Sequence, residues 1–300
     1  MYVITGATGN TGHIVAKRLL EQGKSVRVIG RSAERLAKLS SLGAEPFSAD
    51  LSDKSALTKA FAGAEAAYLI IPPDLASTDF RAYQDKVADA MISAVQQNEV
   101  KHVVALSSIG ADKAEKTGPI AGLHALEERL RAVSGLNTLA LRAAYFMGNA
   151  LPQVSVIQHM GVTAGPLRPD LKVPMIETRD IGAYAADALL RLDFKGFQTQ
   201  ELLGQRDLNY LEVSSIIGNA IGKPDLKYNQ IPYEAFGAAL QQMGASQNIA
   251  MLFMEMSQAL NEGHVRALEP RSARNTTPTS FEQFVSEEFV PAYQGKSAAA

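Results

Sequence analysis

Apolar and polar residues alternate along the first half of this chain in blocks of two kinds. Tyr2-Val3-Ile4 is a short apolar run, and after a glycine-rich segment apolar residues return at helical spacing over 14–20. Residues 25–30 read as a strand and 31–42 lead through a helix. A short strand is predicted over 45–49 and a helix over 53–61. Residues 66–71 are continuously apolar and stop at Pro72-Pro73, the pattern of a central parallel strand buried on both faces. A long helix over 80–97, a strand over 102–107, a helix near 123–133 and a strand over 138–141 continue the series. This alternation predicts an α/β protein with a Rossmann-type, doubly wound parallel sheet and right-handed crossovers.

Beyond about Tyr145 the regularity breaks. Residues 161–174 read as irregular loop with one short strand, and 180–192 regain a helical pattern. Helices are predicted over 210–221, 233–243 and 247–261, the last with the stripe Ile249, Leu252, Phe253, Met256 and Leu260, read as ordinary packing. The expected organisation is an NAD(P)-binding domain over 1–150 and a smaller, mostly helical substrate or partner region over 151–294. That region is interleaved with the sheet rather than independent, and residues 295–300 form a frayed tail. No internal repeat is visible.

The seven residues Gly6-Ala7-Thr8-Gly9-Asn10-Thr11-Gly12 lie between the first strand and the first helix. Gly6 permits a tight turn, Gly9 lets the backbone approach a pyrophosphate, and Gly12 lets the helix pack close to the strand. Free amides and the positive dipole end of that helix would hold the anion. Arg31 stands directly after the second strand, about where the adenosine ribose is read, with Arg35 one helical turn further on. An acidic residue there would bind a 2′-hydroxyl and repel a 2′-phosphate, whereas a guanidinium suits bidentate phosphate binding. The expected cofactor is NADP(H) in preference to NAD(H), with a solvated surface arginine as the alternative reading.

Composition narrows the classes. A chain of 300 residues with 46% hydrophobic content can bury a large core. The net charge of −2, with Lys and Arg scattered, leaves no electrostatic footprint for nucleic acid. No uncharged run approaches a membrane span. A strand is expected from the first residues onward, so no signal peptide is expected. With 0 cysteines, disulfides, thiolate nucleophiles and cysteine-ligated metals are excluded, and cytoplasm is the expected location by elimination. His13, His102, His159 and His264 have no metal-ligand spacing with one another, and no metal site is expected.

The glycine turn resembles that of the atypical short-chain dehydrogenase/reductases. Arg31 after the second strand, Ala49-Asp50 ending the third, Ser134-Gly135-Leu136-Asn137-Thr138 before Leu141-Arg142, and Phe146-Met147-x-Asn149 narrow the resemblance to the NmrA-like branch. The similarity runs through about the first 190 residues and more loosely to the end. It is close to both the type 2 quinone oxidoreductase and the NAD(P)H-binding regulator groups. The resemblance implies that Asp50 and Leu51 border the adenine, although Asp50 is equally a cap for the helix near Asp53. It implies that Ile71, Pro72 and Pro73 pass the cofactor at the end of the fourth strand, and that Phe146 and Asn149 lie by the nicotinamide ribose. Asn149 is equally a structural cap.

Short-chain dehydrogenases carry Tyr-x-x-x-Lys after a serine, the lysine lowering the tyrosine pKa for proton exchange. Here Ser107 and Ser108 are present, but Ile120 falls at the tyrosine position and His124 at the lysine position. Isoleucine has no proton to give. His124 is expected to face the nicotinamide ribose, either donating to a ribose hydroxyl or supplying a proton, as histidine's ordinary titration range permits. A histidine that only satisfies a structural hydrogen bond is the alternative.

Hydride transfer to a quinone-like or other conjugated small-molecule acceptor needs no activated tyrosine. Tyr145, Met147, Met160 and Phe236 are candidate walls for such an acceptor. The competing reading is an NAD(P)(H)-binding redox sensor that engages a protein partner with little or no turnover. A sugar-nucleotide epimerase or dehydratase shares the turn but needs the tyrosine, so Ile120 argues against it. Direct nucleic-acid or membrane binding is not expected, and an oligomer is compatible with the sequence.

Overall fold

The structure, a computed structural model, describes residues 1–296; residues 297–300, most of the expected tail, lie outside the described residues. The elements in order are β1 (Tyr2–Ile4), α1 (Asn10–Glu21), β2 (Val26–Gly30), α2 (Ala33–Ser41), β3 (Glu45–Ser48), α3 (Lys54–Ala60) and β4 (Ala66–Leu69). Then come α4 (Phe80–Gln97), β5 (His102–Ser108), α5 (Ile120–Arg131), β6 (Asn137–Ala143), β7 (Tyr145–Phe146), α6 (Gln153–Met160), β8 (Thr163–Gly165) and β9 (Val173–Ile176). The remainder is α7 (Thr178–Arg191), β10 (Phe197–Leu202), β11 (Arg206–Leu208), α8 (Tyr210–Ala220), β12 (Tyr228–Gln230), α9 (Tyr233–Gln242), α10 (Gln247–Asn261) and a helical segment over 281–293.

Seven parallel strands form one Rossmann-like sheet in the order β10-β6-β5-β4-β1-β2-β3. The order reverses between β1 and β4, so their carboxyl ends flank the crevice where an open α/β sheet binds its ligand. All four residues of β4 are buried, as its unbroken apolar run predicts. Alternation along β4 sends Tyr68 into the core under α1 and α7, and Ala67 and Leu69 into the core under α3, α4 and α5.

Helix α7 packs closely along α1 because Gly182 has no side chain. A Cβ there would lie 2.7 Å from Ile14 Cβ and 2.8 Å from the Thr11 carbonyl oxygen. The helix that opens the glycine turn is thereby held by a helix from the second half of the chain.

The pattern of the second half differs from expectation in several places, among them the short elements β7, α6, β11 and β12, for which no sequence signal is read. The seventh strand of the large sheet, β10, was not predicted. Its Gln198, Thr199, Gln200 and Glu201 are polar, as an edge strand paired only to β6 allows. Residues 161–174 hold β8 and the start of β9, not one strand. Each is only three or four residues long, too short for a period-2 signal, and each is stabilised by a distant partner: β8 by β12, and β9 by β7 and β11. The helical segment over 281–293 was also unread, although Phe281, Phe284 and Phe289 anchor it in the core.

Candidate functional site

The turn after β1 is built for close approach. Gly6 has φ +59°, the left-handed region that favours glycine, and a Cβ there would meet Ile70 Cγ2 at 2.5 Å. A Cβ on Gly12 would fall 2.4 Å from the Gly6 carbonyl oxygen, so only glycine lets α1 start against the turn. Gly9 is different: it is exposed, and a Cβ there would touch only the Gly6 oxygen, at 3.3 Å. Space over Gly9 is open on the solvent side. Ala7 is fully buried and its amide bonds the Ile29 carbonyl, tying the turn to β2.

The N-terminus of α1 carries no side-chain cap and no acidic residue in its first turn. Ser32, Asp53, Asp79, Asn209 and Ser246 cap α2, α3, α4, α8 and α10, while α5, α6 and α9, which also lack a side-chain cap, begin behind Pro119, Pro152 and Pro232 rather than a glycine turn. The first turn of α1 therefore offers amides and a positive dipole end to an anion. Hydrogen bonds beneath it fix the geometry. Thr5 Oγ1 donates to the Tyr68 carbonyl at 3.0 Å and accepts from the Ile70 amide at 3.0 Å. The buried Tyr68 hydroxyl donates to Thr11 Oγ1 at 2.9 Å. These contacts lock β1, β4 and the first turn of α1 together. Uncapped amides, open space over Gly9 and no nearby acid fit a dinucleotide pyrophosphate.

Around the end of β2 and β3, Thr8, Asn10, Arg31, Arg35 and Asp50 are exposed, while Thr11, Leu51 and Ile71 are buried. The Asp50 carboxyl is held below the usual carboxylate range, first by hydrogen bonds from Ser52 and then by the charges of Arg31 and Lys86. Asp50 Oδ1 accepts from the Ser52 amide at 2.8 Å, while the cap of α3 is Asp53, which accepts from Ala56 at 3.0 Å. Asp50 is therefore not that helix's cap. Pro72 is half-buried and Pro73 exposed just past β4.

Past β5 and β6, the site residues have partners that the sequence did not disclose. His124 is half-buried, and its Nδ1 lies 2.9 Å from the Ala111 carbonyl oxygen. A carbonyl only accepts, so Nδ1 carries the proton and neutral His124 presents a bare Nε2. In the neutral ring Nε2 is an acceptor, whereas the protonated ring would keep the Ala111 contact and donate from Nε2. Ile120 is 5% exposed at the start of α5 and belongs to the core.

Ser107 is removed from any site. Its Oγ donates to Glu127 Oε1 at 2.6 Å, and Arg142 binds the same carboxylate through Nε at 3.0 Å and a terminal nitrogen at 2.6 Å. All three side chains are buried, so the serine, the helix α5 and the strand β6 form one ion-paired clamp.

Of the four candidate wall residues, Met147 is in the core and Met160 is 68% exposed at the end of α6, so these two do not share a wall. Phe236 is half-buried on α9. Tyr145 is half-buried beyond β6, and Tyr210 donates to its hydroxyl at 3.2 Å. Phe146 is half-buried and Asn149 exposed nearby. Two surface pockets, of about 370 Å³ around Lys116, Glu255 and His264 and about 230 Å³ around Ile109, Val173 and Val265, include no residue of the glycine turn. Among the described residues there is no cluster of three or more His, Cys, Asp or Glu able to hold a metal. No described helix is long and apolar enough to cross a membrane.

The model of the NmrA-like family matches residues 2–288. This chain belongs to the NmrA-like family. Among its relatives is the NAD(P)H azoreductase of Xenophilus azovorans, 27% identical over 260 residues, 85% of this chain and 86% of the relative. Quinone oxidoreductase 2 of Escherichia coli (strain K12) is 26% identical over 267 residues, 88% of this chain and 89% of the relative. The solved structure of that NADPH-dependent quinone oxidoreductase with NADPH superposes with a TM-score of 0.74 at 23% identity, covering 100% of this chain and 96% of that one. A Staphylococcus aureus nucleoside-diphosphate-sugar epimerase superposes with a TM-score of 0.79 at 19% identity, covering 95% of this chain and 99% of that one. At these identities the two structures speak for the shared fold.

Proposed function

We propose that this NmrA-like protein is an NAD(P)H-dependent oxidoreductase that passes hydride to a quinone-like or other conjugated small molecule, with NADP(H) preferred. One observation carries the reading: an uncapped helix N-terminus behind an open Gly9 stands at the β1/β4 switch of the sheet. The naming of its relatives as an NAD(P)H azoreductase and a quinone oxidoreductase supports a reductive chemistry over an epimerase-like one.

The bound cofactor would supply the hydride. The residues of the chain bind and orient it. Gly6 to Gly12 hold the pyrophosphate, Arg31 and Arg35 meet the 2′-phosphate, and Asp50 and Leu51 border the adenine. Asp50, held ionised, accepts from the exocyclic amine. Ile71, Pro72 and Pro73 shape the crevice beside the cofactor. Phe146 and Asn149 lie by the nicotinamide ribose, and His124 accepts a ribose hydroxyl at its bare Nε2. A buried isoleucine at position 120 leaves no activated tyrosine, which suits acceptors whose reduced form takes its proton from water.

That same isoleucine favours one competing reading, a redox sensor that binds NAD(P)(H) and a protein partner without turnover. NADPH oxidation against a panel of small quinones tests the choice. Turnover supports the reductase, and tight cofactor binding without turnover supports the sensor.

A further inference from the structure

Tyr145 and Tyr210 come from different parts of the chain and meet hydroxyl to hydroxyl. Tyr145 follows β6 directly, at the carboxyl edge of the sheet, and Tyr210 is the first residue of α8, set by the Asn209 capping box. Tyr210 is 7% exposed and donates to Tyr145 at 3.2 Å. Behind Tyr210, the Tyr228 ring packs at 4.9 Å, but the Tyr228 hydroxyl is spent on the Leu167 carbonyl at 2.7 Å. The chain of phenols therefore has a closed inner end. Its outer end is Tyr145, whose oxygen already accepts from Tyr210 and stands beside the side chain of the exposed Asn149. Tyr145 therefore accepts on that side, and among the described residues its own hydroxyl hydrogen meets no acceptor.

We infer that Tyr145, oriented by Tyr210, is the hydrogen-bond donor to the oxygen of a quinone-type acceptor. The inference rests on the reductase reading above. Burial pushes the Tyr145 pKa up and that of Tyr210 well above its ordinary value, so both remain neutral phenols. This is the opposite of an activated tyrosine. A bound reduced nicotinamide would supply the hydride, its C–H hydrogen leaving together with the bonding electron pair, and a quinone that receives it would become a hydroquinone monoanion. Tyr145 donates a hydrogen bond to the anionic oxygen and keeps its own proton, while water supplies the proton that completes the hydroquinone. Tyr145 touches the substrate and Tyr210 is a positioning residue.

The test compares wild type, Tyr145→Phe and Tyr210→Phe with two acceptors: 1,4-naphthoquinone, and a cationic triphenylmethane dye whose hydride-accepting carbon generates no oxyanion. Tyr145→Phe should lower kcat/KM for the quinone about three- to tenfold, the span of one neutral hydrogen bond. The rate with the dye and the affinity for NADPH should not change. Tyr210→Phe should show a smaller fall of the same selectivity. Because the donor stays neutral, the quinone rate should show no basic limb below pH 9 that disappears in Tyr145→Phe. A folded Tyr145→Phe protein with an unchanged quinone rate, or an equal fall with both acceptors, overturns the inference. Calorimetric binding of 1,4-naphthoquinone to the NADP⁺ complex separates the two readings without turnover. If wild type binds the quinone, Tyr145→Phe weakens it three- to tenfold and no reduction occurs, the donor stands and the reductase reading fails. No quinone binding by wild type, or equal binding by the variant, overturns the donor.

Discussion

His124 Nδ1 lies 2.9 Å from the Ala111 carbonyl oxygen, tying the helix that bears the histidine to the loop after β5. When the ring is neutral, that contact sets its tautomer and leaves Nε2 as an acceptor, the role assigned to it beside the ribose. His124→Ala should raise the Kd for NADPH by the worth of one hydrogen bond, about 0.5–1.5 kcal/mol. Turnover at saturating NADPH should stay within a few-fold of wild type. A fall of about a hundredfold in saturated turnover, the mark of lost general acid catalysis, contradicts this assignment.

Arg31 decides the cofactor prediction. It is exposed at the end of β2, near Asp50 and with no acidic side chain in its place at the ribose position. Losing a hydrogen bond to a charged group costs about 1.5–3 kcal/mol, so Arg31→Ala should weaken NADPH about ten- to a hundredfold and leave NADH nearly unchanged. Titration of both proteins with both cofactors checks it. Equal weakening of the two cofactors, or a wild-type preference for NADH, removes Arg31 from the 2′-phosphate.

Gly9→Val should abolish binding of both cofactors in a protein that still folds. The backbone at Gly9 is extended (φ −95°), and its Cβ would meet only one oxygen at 3.3 Å. The substituted side chain would fill the space over the turn. Circular dichroism establishes folding and fluorescence titration reads the cofactor. Retained affinity in the folded variant means that the pyrophosphate binds elsewhere.

The alternating first half was legible because parallel strands buried on both faces write themselves as apolar runs. Residues 66–69 are the clearest case. The glycine turn was legible because three backbone requirements fall within seven residues. The edge strand β10 was not, since Gln198 to Glu201 carry no apolar run and its pairing partner is β6, far back in the chain. Tyr145 and Tyr210 are 65 residues apart, and no local period connects them. Arg142 left a trace: a cation between Leu141 and Ala143 in an apolar strand requires a buried anion, yet only the fold identifies it as Glu127.

That pair gives a stability prediction. Glu127→Ala leaves Arg142 and Ser107 buried without their acceptor, which should destabilise the protein by about 3–5 kcal/mol. Ser107→Ala removes one donor from the cluster and should cost only about 0.5–1.5 kcal/mol. Urea unfolding of the three proteins checks the ranking. Comparable costs for the two variants contradict a buried, ion-paired clamp.

The most direct measurement is the initial rate of NADPH oxidation by the purified protein with 1,4-naphthoquinone, followed at 340 nm and accompanied by measurement of hydroquinone formed. A hydride-transferring reductase produces one hydroquinone per NADPH consumed, with saturable dependence on both substrates, and Gly9→Val abolishes the rate. Tight NADPH binding with no consumption against this and related conjugated acceptors contradicts the proposed activity and leaves the sensor reading in its place.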